Sequence, residues 1–467
     1  MKQSKTGKPG RTNRACFPED FWWGISTASY QIEGAVKEDG RGVSIWDTFS
    51  HLPGKITNGD TGDVACDHYH RYRDDVKLMA ALGVRHYRFS IAWPRILPDG
   101  RGTVNEQGVD FYRRLADELL AHGITPHATL YHWDLPQALQ DRYGGWVSRE
   151  IVKDFGAYAE ATVKRLGDRI THWMTINEIC TFVELGWDVG KPGYHAPGAI
   201  IGGQAERSRI YHHTLLAHGT ACQAIRAASP GRCHVSVAEN YEACVPVIET
   251  PADIEAAGRA FVRERNGRVL IPMLTGRYDE GWLADHPDEI PEIADGDMAL
   301  IAQPLDGLGF NCYTGTYVRA ADNPKGYESI RLSDRYPKMN MPWLNLVPES
   351  IYWGIRWITD AVGQGKLPVF IAENGCADGA DPAPDGTVVD VDRIMYYRAY
   401  LCQVQRAVAE GYPVSGYLPW SLMDNFEWYD GYSKRFGMVH VDFMTQTRTP
   451  KLSYNWYRNV VRQNRVV

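Results

Sequence analysis

The chain reads as an α/β protein, a single (β/α)8 TIM barrel with elaborated βα loops. Three observations carry that reading. Eight short apolar runs alternate with longer amphipathic stretches, no internal repeat or low-complexity linker divides the chain, and most of the runs end in polar or aromatic residues. Such alternation argues for βα units around a parallel sheet. Eight units imply a closed barrel, where six would imply an open doubly wound sheet. The 467 residues exceed the ~250 of a typical barrel, and the loops absorb the excess.

The eight expected strands cover residues 21–28, 84–91, 125–130, 173–177, 234–238, 307–311, 368–372 and 414–420. Helical stretches lie between them. Residues 69–82 repeat apolar side chains at helical spacing and stop at Gly83, a C-cap signal; residues 107–122 do the same before Gly123. The strand ends carry Tyr30 and Gln31, Arg88, His132 and Trp133, Asn177 and Glu178, Asn311 and Tyr313, Glu373 and Asn374, and Trp420. Helix N-caps would be Ser, Thr, Asp or Asn, so this set reads as a site at the C-terminal mouth of a barrel.

Composition narrows the function. Hydrophobic residues make up 44% and charged residues 23%, as in a soluble globular enzyme. The net charge of −7 speaks against nucleic acid or an anionic membrane as partner. No apolar run reaches the ~18 residues that span a bilayer. Nine cysteines without metal-site or disulfide-framework spacing fit a reduced compartment. Residues 1–15 carry Lys2, Lys5, Lys8, Arg11 and Arg14 but no apolar secretion-signal core. A loose, disordered basic tail (1–15) ahead of one barrel domain (16–467) is expected, in a cytoplasmic enzyme. With 15 Trp and 26 Tyr, the chain is rich in faces that stack on sugar rings as well as fill cores.

Glu178 follows an apolar run, and so does Glu373, after Val369-Phe370-Ile371-Ala372. Strands four and seven face each other across a barrel, so these carboxyls meet over its mouth. Glycosidic bond hydrolysis needs two carboxyl groups: one protonates the leaving oxygen, the other attacks the anomeric carbon or activates water. Their separation decides between retention and inversion, and sequence does not give it. Arg88 is placed to hold Glu373 ionised, and Tyr313 to donate to it. Glu178 then needs burial and the negative Glu373 to keep its proton.

The motifs are specific in combination. FPEDFWWGISTASYQIEG (17–34), RFSIAWPRI (88–96), LYHWDLPQAL (130–139), TINE (175–178), IAENG (371–375) and WSLMDNFEWYDGYSKRFG (420–437) together resemble glycoside hydrolase family 1, the β-glucosidase family, from Phe17 to about Arg458. The resemblance implies a retaining exo-acting β-glucosidase with Glu178 as acid/base and Glu373 as nucleophile, no cofactor and no metal. Its substrate would be a small β-glucoside or oligosaccharide. It further implies that Gln31, His132, Trp133, Asn177, Glu427 and Trp428 bind sugar hydroxyls, that Trp420 is the stacking floor, and that Asn311 and Tyr313 flank the nucleophile. Phe436 counts as a pocket residue without a hydroxyl.

Two departures stand out: Ile179 where the family has proline, and Cys312 where it usually has tyrosine. Cys180 and Cys376 fall near the motifs and read as small buried hydrophobes. His68, His70, His212 and His213 lack a third ligand at metal spacing and read as helix surface or packing. A 6-phospho-β-glycosidase would replace Glu427 and use Lys434 with a tyrosine, where this chain has Phe436. A thioglucosidase or a non-catalytic binding protein would lack one of the two glutamates. Transglycosylation by the same glycosyl-enzyme stays open, as do the aglycone, the glucose–galactose preference and the oligomeric state.

Overall fold

The computed structural model describes residues 16–363 and 367–467. The stretch 1–15, expected as a loose basic tail, lies outside the described residues.

Eight strands form the barrel: β1 (Trp22–Ser26), β2 (His86–Ser90), β3 (Thr125–Tyr131), β4 (His172–Asn177), β5 (His234–Glu239), β6 (Gly307–Asn311), β7 (Val369–Glu373) and β8 (Val414–Tyr417). Every neighbouring pair is parallel, and β1 closes the ring by pairing with both β2 and β8. Each strand matches an expected run. Helices His68–Leu82 and Glu106–Ala121 also fall within a residue of expectation, and Gly83 closes the first with φ 90°. Helices Glu150–Leu166, Gln204–Ala228, Glu349–Val362, Val391–Ala409 and Leu452–Gln463 belong to the same outer layer.

Two strand boundaries differ. β1 stops at Ser26, two residues early, because the Ser29 N–H bonds to Ser90 Oγ (2.7 Å) and the chain turns into a short helix, Ser29–Ile32, that carries Gln31. β8 stops at Tyr417, three residues early. Beyond it the backbone runs over the mouth of β7, where Trp420 N–H donates to Asn374 O (2.9 Å). A Cβ on Gly375 would lie 1.8 Å from Trp420 O, so only glycine fits in the IAENG motif at this crossing.

Inside the barrel, Met174, Ala238, Phe370, Ala372 and Leu418 pack with Trp22. At the N-terminal end of the strands, His86, His127, His172 and His234 surround Trp22, with ring centroids 5.2–5.8 Å from it. The floor is therefore built of imidazoles, and the mouth is left for chemistry.

Candidate active site

Both glutamates sit where the sheet loses its register. The β4–β5 pairing shifts between Met174 and Asn177, and the β7–β6 pairing shifts between Ile371 and Glu373. Bulges re-aim side chains next to active sites. Glu178 also adopts a left-handed backbone (φ 49°), as do Trp133 (φ 79°) and Trp428 (φ 51°). Each such residue costs about 1 kcal/mol or more, a strain that collects where function over-determines geometry.

The environments of the two carboxyls differ as the chemistry requires. Glu373 receives Arg88 Nη1 on Oε1 (2.5 Å) and the Tyr313 hydroxyl on Oε2 (2.7 Å). Among the described residues Glu178 meets no cation: Asn311 Nδ2 donates to its Oε1 (2.8 Å), and the Thr181 side chain bonds it as well. Burial first, and the negative Glu373 second, lift its carboxyl to about 7. Asn177 lies between them. Its Oδ1 accepts from Arg88 Nη2 (2.6 Å) and Asn311 Nδ2 (3.0 Å), its Nδ2 lies 3.2 Å from His132 Nε2, and its carbonyl accepts from Trp133 Nε1 (2.9 Å). Asn374 belongs elsewhere. It donates to Cys312 O and accepts from Tyr417 Oη, bracing the β7 mouth from behind.

A cavity of about 710 Å³ opens above this pair. Its lining includes His132, Trp133, Asn177, Glu178, Asn311, Tyr313, Glu373, Trp420, Glu427, Trp428 and Phe436. Arg88 and Gln31 do not line it but hold residues that do. Arg88 is fully buried under Glu373 and Asn177. Gln31 Nε2 bonds Phe426 O (2.9 Å), Asn425 Oδ1 (3.1 Å) and Glu427 Oε2 (3.4 Å). Gln31 Oε1, His132 Nδ1 and Asn311 Oδ1 are buried with no protein partner, which is what a cavity built for hydroxyl groups would leave. Burial depresses His132 well below the usual imidazole range, so it enters the site neutral. Trp420 stacks on His132, with centroids 5.6 Å apart, and Trp428 lies 4.6 Å from Trp133.

Glu427 needs a change of argument. Its burial, followed by the charges of Asp430, Glu373 and Glu178, raises its carboxyl well above the usual range. That shift weakens any repulsion of a sugar phosphate by Glu427 itself. What disfavours a sugar phosphate here is the negative neighbourhood together with Lys434, which bonds Asn340 Oδ1 (3.3 Å) and does not line the cavity.

The remaining motifs resolve as packing, apart from His70, which is exposed on its helix. Cys180, Cys312 and Cys376 are buried, with burial raising their thiols, Cys312 and Cys376 to about 12. Cys312 Sγ rests 3.4 Å from Ser350 Oγ. His68 pairs with Asp75, His70 with Asp67, and His212 with Tyr278 and Asp297. The loop at 191–193 leads into Tyr194 and His195, which reach the cavity.

Sequence reasoning missed Glu239. It ends β5 just as Glu178 and Glu373 follow their apolar runs, so the strand-end signal was present and went unapplied to that strand. It also missed Arg265, Glu242 and Trp343 in the cavity lining; Glu242 and Trp343 come from loops and Arg265 from the first position of the helix Arg265–Thr275, and no periodicity announces their approach.

Comparison with known proteins places this geometry. Residues 13–466 match the model of Glycosyl hydrolase family 1. Beta-glucosidase A of Thermotoga maritima is 43% identical over 96% of this chain and 98% of its own length. A bifunctional β-D-glucosidase/β-D-fucosidase of Bifidobacterium breve is 42% identical over 95% of this chain and 98% of its own. The structure of the Thermotoga maritima β-glucosidase in complex with deoxynojirimycin superposes with a TM-score of 0.87 at 42% identity, covering 97% of this chain and all of that one. With a closed parallel barrel, two glutamates at opposed strand mouths and a match along nearly its whole length, the chain belongs to glycosyl hydrolase family 1.

Proposed function

We propose that this protein is a retaining exo-acting β-glucosidase that releases terminal β-D-glucose from β-glucosides and short oligosaccharides. The observation that carries the reading is the unequal setting of two buried glutamates over one cavity: Glu373 bonded by a guanidinium and a phenol, Glu178 by the neutral side chains of Asn311 and Thr181.

In the first step a Glu373 oxygen forms a bond to the anomeric carbon. The carbon–oxygen bond to the aglycone breaks as Glu178 passes its proton to the leaving oxygen. The ester that results removes the charge of Glu373, so the Glu178 carboxylate is now the weaker electrostatic conflict. It takes a proton from water, the water oxygen bonds to the anomeric carbon, and the ester bond breaks to give the β-sugar. Arg88 and Tyr313 hold the two Glu373 oxygens in place for the attack. Asn177, locked by Arg88 and Asn311, is suited to the sugar 2-hydroxyl, a contact that strengthens in the transition state. Trp420 offers the stacking face, and Glu427, bonded by Gln31, offers paired contacts to neighbouring hydroxyls. The chemistry uses carboxyl groups and water alone.

Because those contacts serve either epimer at the 4-position, β-galactoside and β-fucoside turnover accompanies β-glucoside turnover. The similarity to a bifunctional glucosidase/fucosidase supports that breadth. Residues 16–467 act as one catalytic domain. A cytoplasmic location is in keeping with nine cysteines, none of them in a disulfide among the described residues.

The test compares kcat/KM for aryl β-glucoside, β-galactoside and 6-phospho-β-glucoside, and follows the first-formed anomer by NMR. Fast glucoside turnover with β-glucose first is expected. Turnover of the phosphorylated substrate alone, or α-glucose as first product, overturns the reading.

A further inference from the structure

We propose that Glu239 is a positioning residue for Glu178, gripping the backbone just after it through an N–H that proline at position 179 would not offer. The inference rests on the acid/base reading of Glu178.

Glu239 is fully buried at the end of β5. Its Oε2 accepts the Ile179 N–H (2.6 Å), and its Oε1 accepts the N–H groups of Cys180 (3.3 Å) and Asn240 (3.1 Å). The Ile179 and Cys180 donors are free because the helix Ile179–Gly186 begins there, with Glu178 as its N-cap residue. An N-cap side chain ordinarily satisfies such donors itself. Glu178 does not: its side chain makes no cap bond, and its carboxyl points instead to Asn311 in the cavity. Glu239, from the neighbouring strand, takes over the cap and leaves the Glu178 carboxyl for the substrate.

The same strand holds Glu178 from its other side. The Glu178 N–H donates to Ala238 O (2.8 Å), the residue before Glu239. Consecutive residues of β5 thus fix consecutive peptide groups around a glutamate whose left-handed backbone (φ 49°) would not persist unsupported. Asn240 adds a third point, donating to Thr181 Oγ1 (2.7 Å). Proline after the glutamate, the usual family residue, fixes that position covalently and has no N–H. Ile179 restores the donor, and Glu239 receives it. Burial, and after it the Glu178 charge, raises the Glu239 carboxyl to about 8, so near neutral pH it works as a hydrogen-bonding group more than as a charge. Glutamine keeps its size but turns one acceptor into an NH2, which faces a backbone donor without bonding it.

The experiment measures kcat/KM for cellobiose, a poor leaving group, and dinitrophenyl β-glucoside, a good one. It uses the wild type, Glu239→Gln, Ile179→Pro, the double variant and Glu178→Ala. A misplaced proton donor slows cellobiose and spares the dinitrophenyl substrate. Glu239→Gln should lose about tenfold or more on cellobiose and far less on the other substrate, Ile179→Pro should lose less because the ring itself fixes that position, and the double variant should be no worse than Glu239→Gln. Equal losses on both substrates in Glu239→Gln, or losses that multiply in the double variant, overturn the proposal. If Glu239→Gln does not fold, Glu239→Asp, which draws the acceptor back by one methylene, decides by the same split. Glu178→Ala separates the two readings. Equal losses there sink the acid/base assignment, whereas a split there without one in Glu239→Gln sinks only the role of Glu239.

Discussion

The Arg88 guanidinium lies 2.5 Å from Oε1 of Glu373, in full burial beneath the cavity. Its second terminal nitrogen reaches Asn177 Oδ1 at 2.6 Å, and its Nε reaches Thr129 Oγ1 at 3.2 Å. One planar fork therefore aligns the Glu373 carboxyl on β7 with the Asn177 amide on β4. Lysine would keep the charge but, as a point donor, would not hold both. Arg88→Lys should fold and lose about 10²–10³-fold in kcat, the scale of one misplaced preorganised donor. Steady-state kinetics beside circular dichroism check this; near-wild-type kcat would show that charge alone suffices.

Glu373→Ala should retain the fold and lose more than about a thousandfold in kcat, a loss of about 4 kcal/mol or more. Azide fits the space left by the carboxylate and attacks from the same side, so it should restore turnover with an inverted azide product. A smaller loss, or restored turnover without that product, would remove Glu373 from the nucleophile role.

Glu178 must carry its proton for the first step. Burial and the Glu373 charge raise its carboxyl to about 7, so the proton is present below that pH and lost as pH rises through it. For a substrate with a poor leaving group, kcat/KM should fall about tenfold per pH unit above neutrality. Glu178→Ala should abolish this limb, and it should cost far more on cellobiose than on an activated aryl glucoside. A profile flat to pH 9 in the wild type would contradict the assignment.

The barrel and the site were legible for one reason: strands buried on both faces must be apolar, so a glutamate or histidine at their ends stands out. Glu178, Glu373, His132 and Asn311 announced themselves this way. Arg88 was legible as a charge inside an apolar run. What sequence withheld was direction. Nothing in TINE tells that Glu178 is left-handed, that Asn177 enters the site while Asn374 braces it from behind, or that Gln31 works through Glu427. These depend on bulges and on loops from distant strands. Ile179 was read as a departure with an open consequence; its meaning required seeing the Glu239 oxygen beside its N–H. The histidines of the floor were invisible as a group because they begin or lie early in four separate strands.

Those histidines make the fold sensitive to acid. His86 Nδ1 lies 2.9 Å from His127 Nε2, and His127, His172 and His234 follow one another with ring centroids 4.4 and 5.1 Å apart. Desolvation first, then the neighbouring imidazoles and arginines, lowers these groups: His86 to about 3, His172 to about 4, and His127 well below its ordinary value. His234 is lowered too, chiefly by desolvation, with Asp306 opposing. The folded protein thus keeps them neutral while the unfolded chain protonates near pH 6.5. The unfolded state binds more protons below that pH, so stability is full above it and declines as pH falls toward 4. One histidine held neutral contributes up to about 1.4 kcal/mol of loss per pH unit in that window. His127→Gln removes one such group at the best-buried position. Its urea midpoint should be lower than wild type at pH 7, where a fitted ring is lost, and should fall less steeply between pH 6.5 and pH 5. Carboxylates elsewhere contribute equally to both proteins, so the difference in slope isolates the floor. Parallel declines would mean that the floor takes up its protons without resisting them.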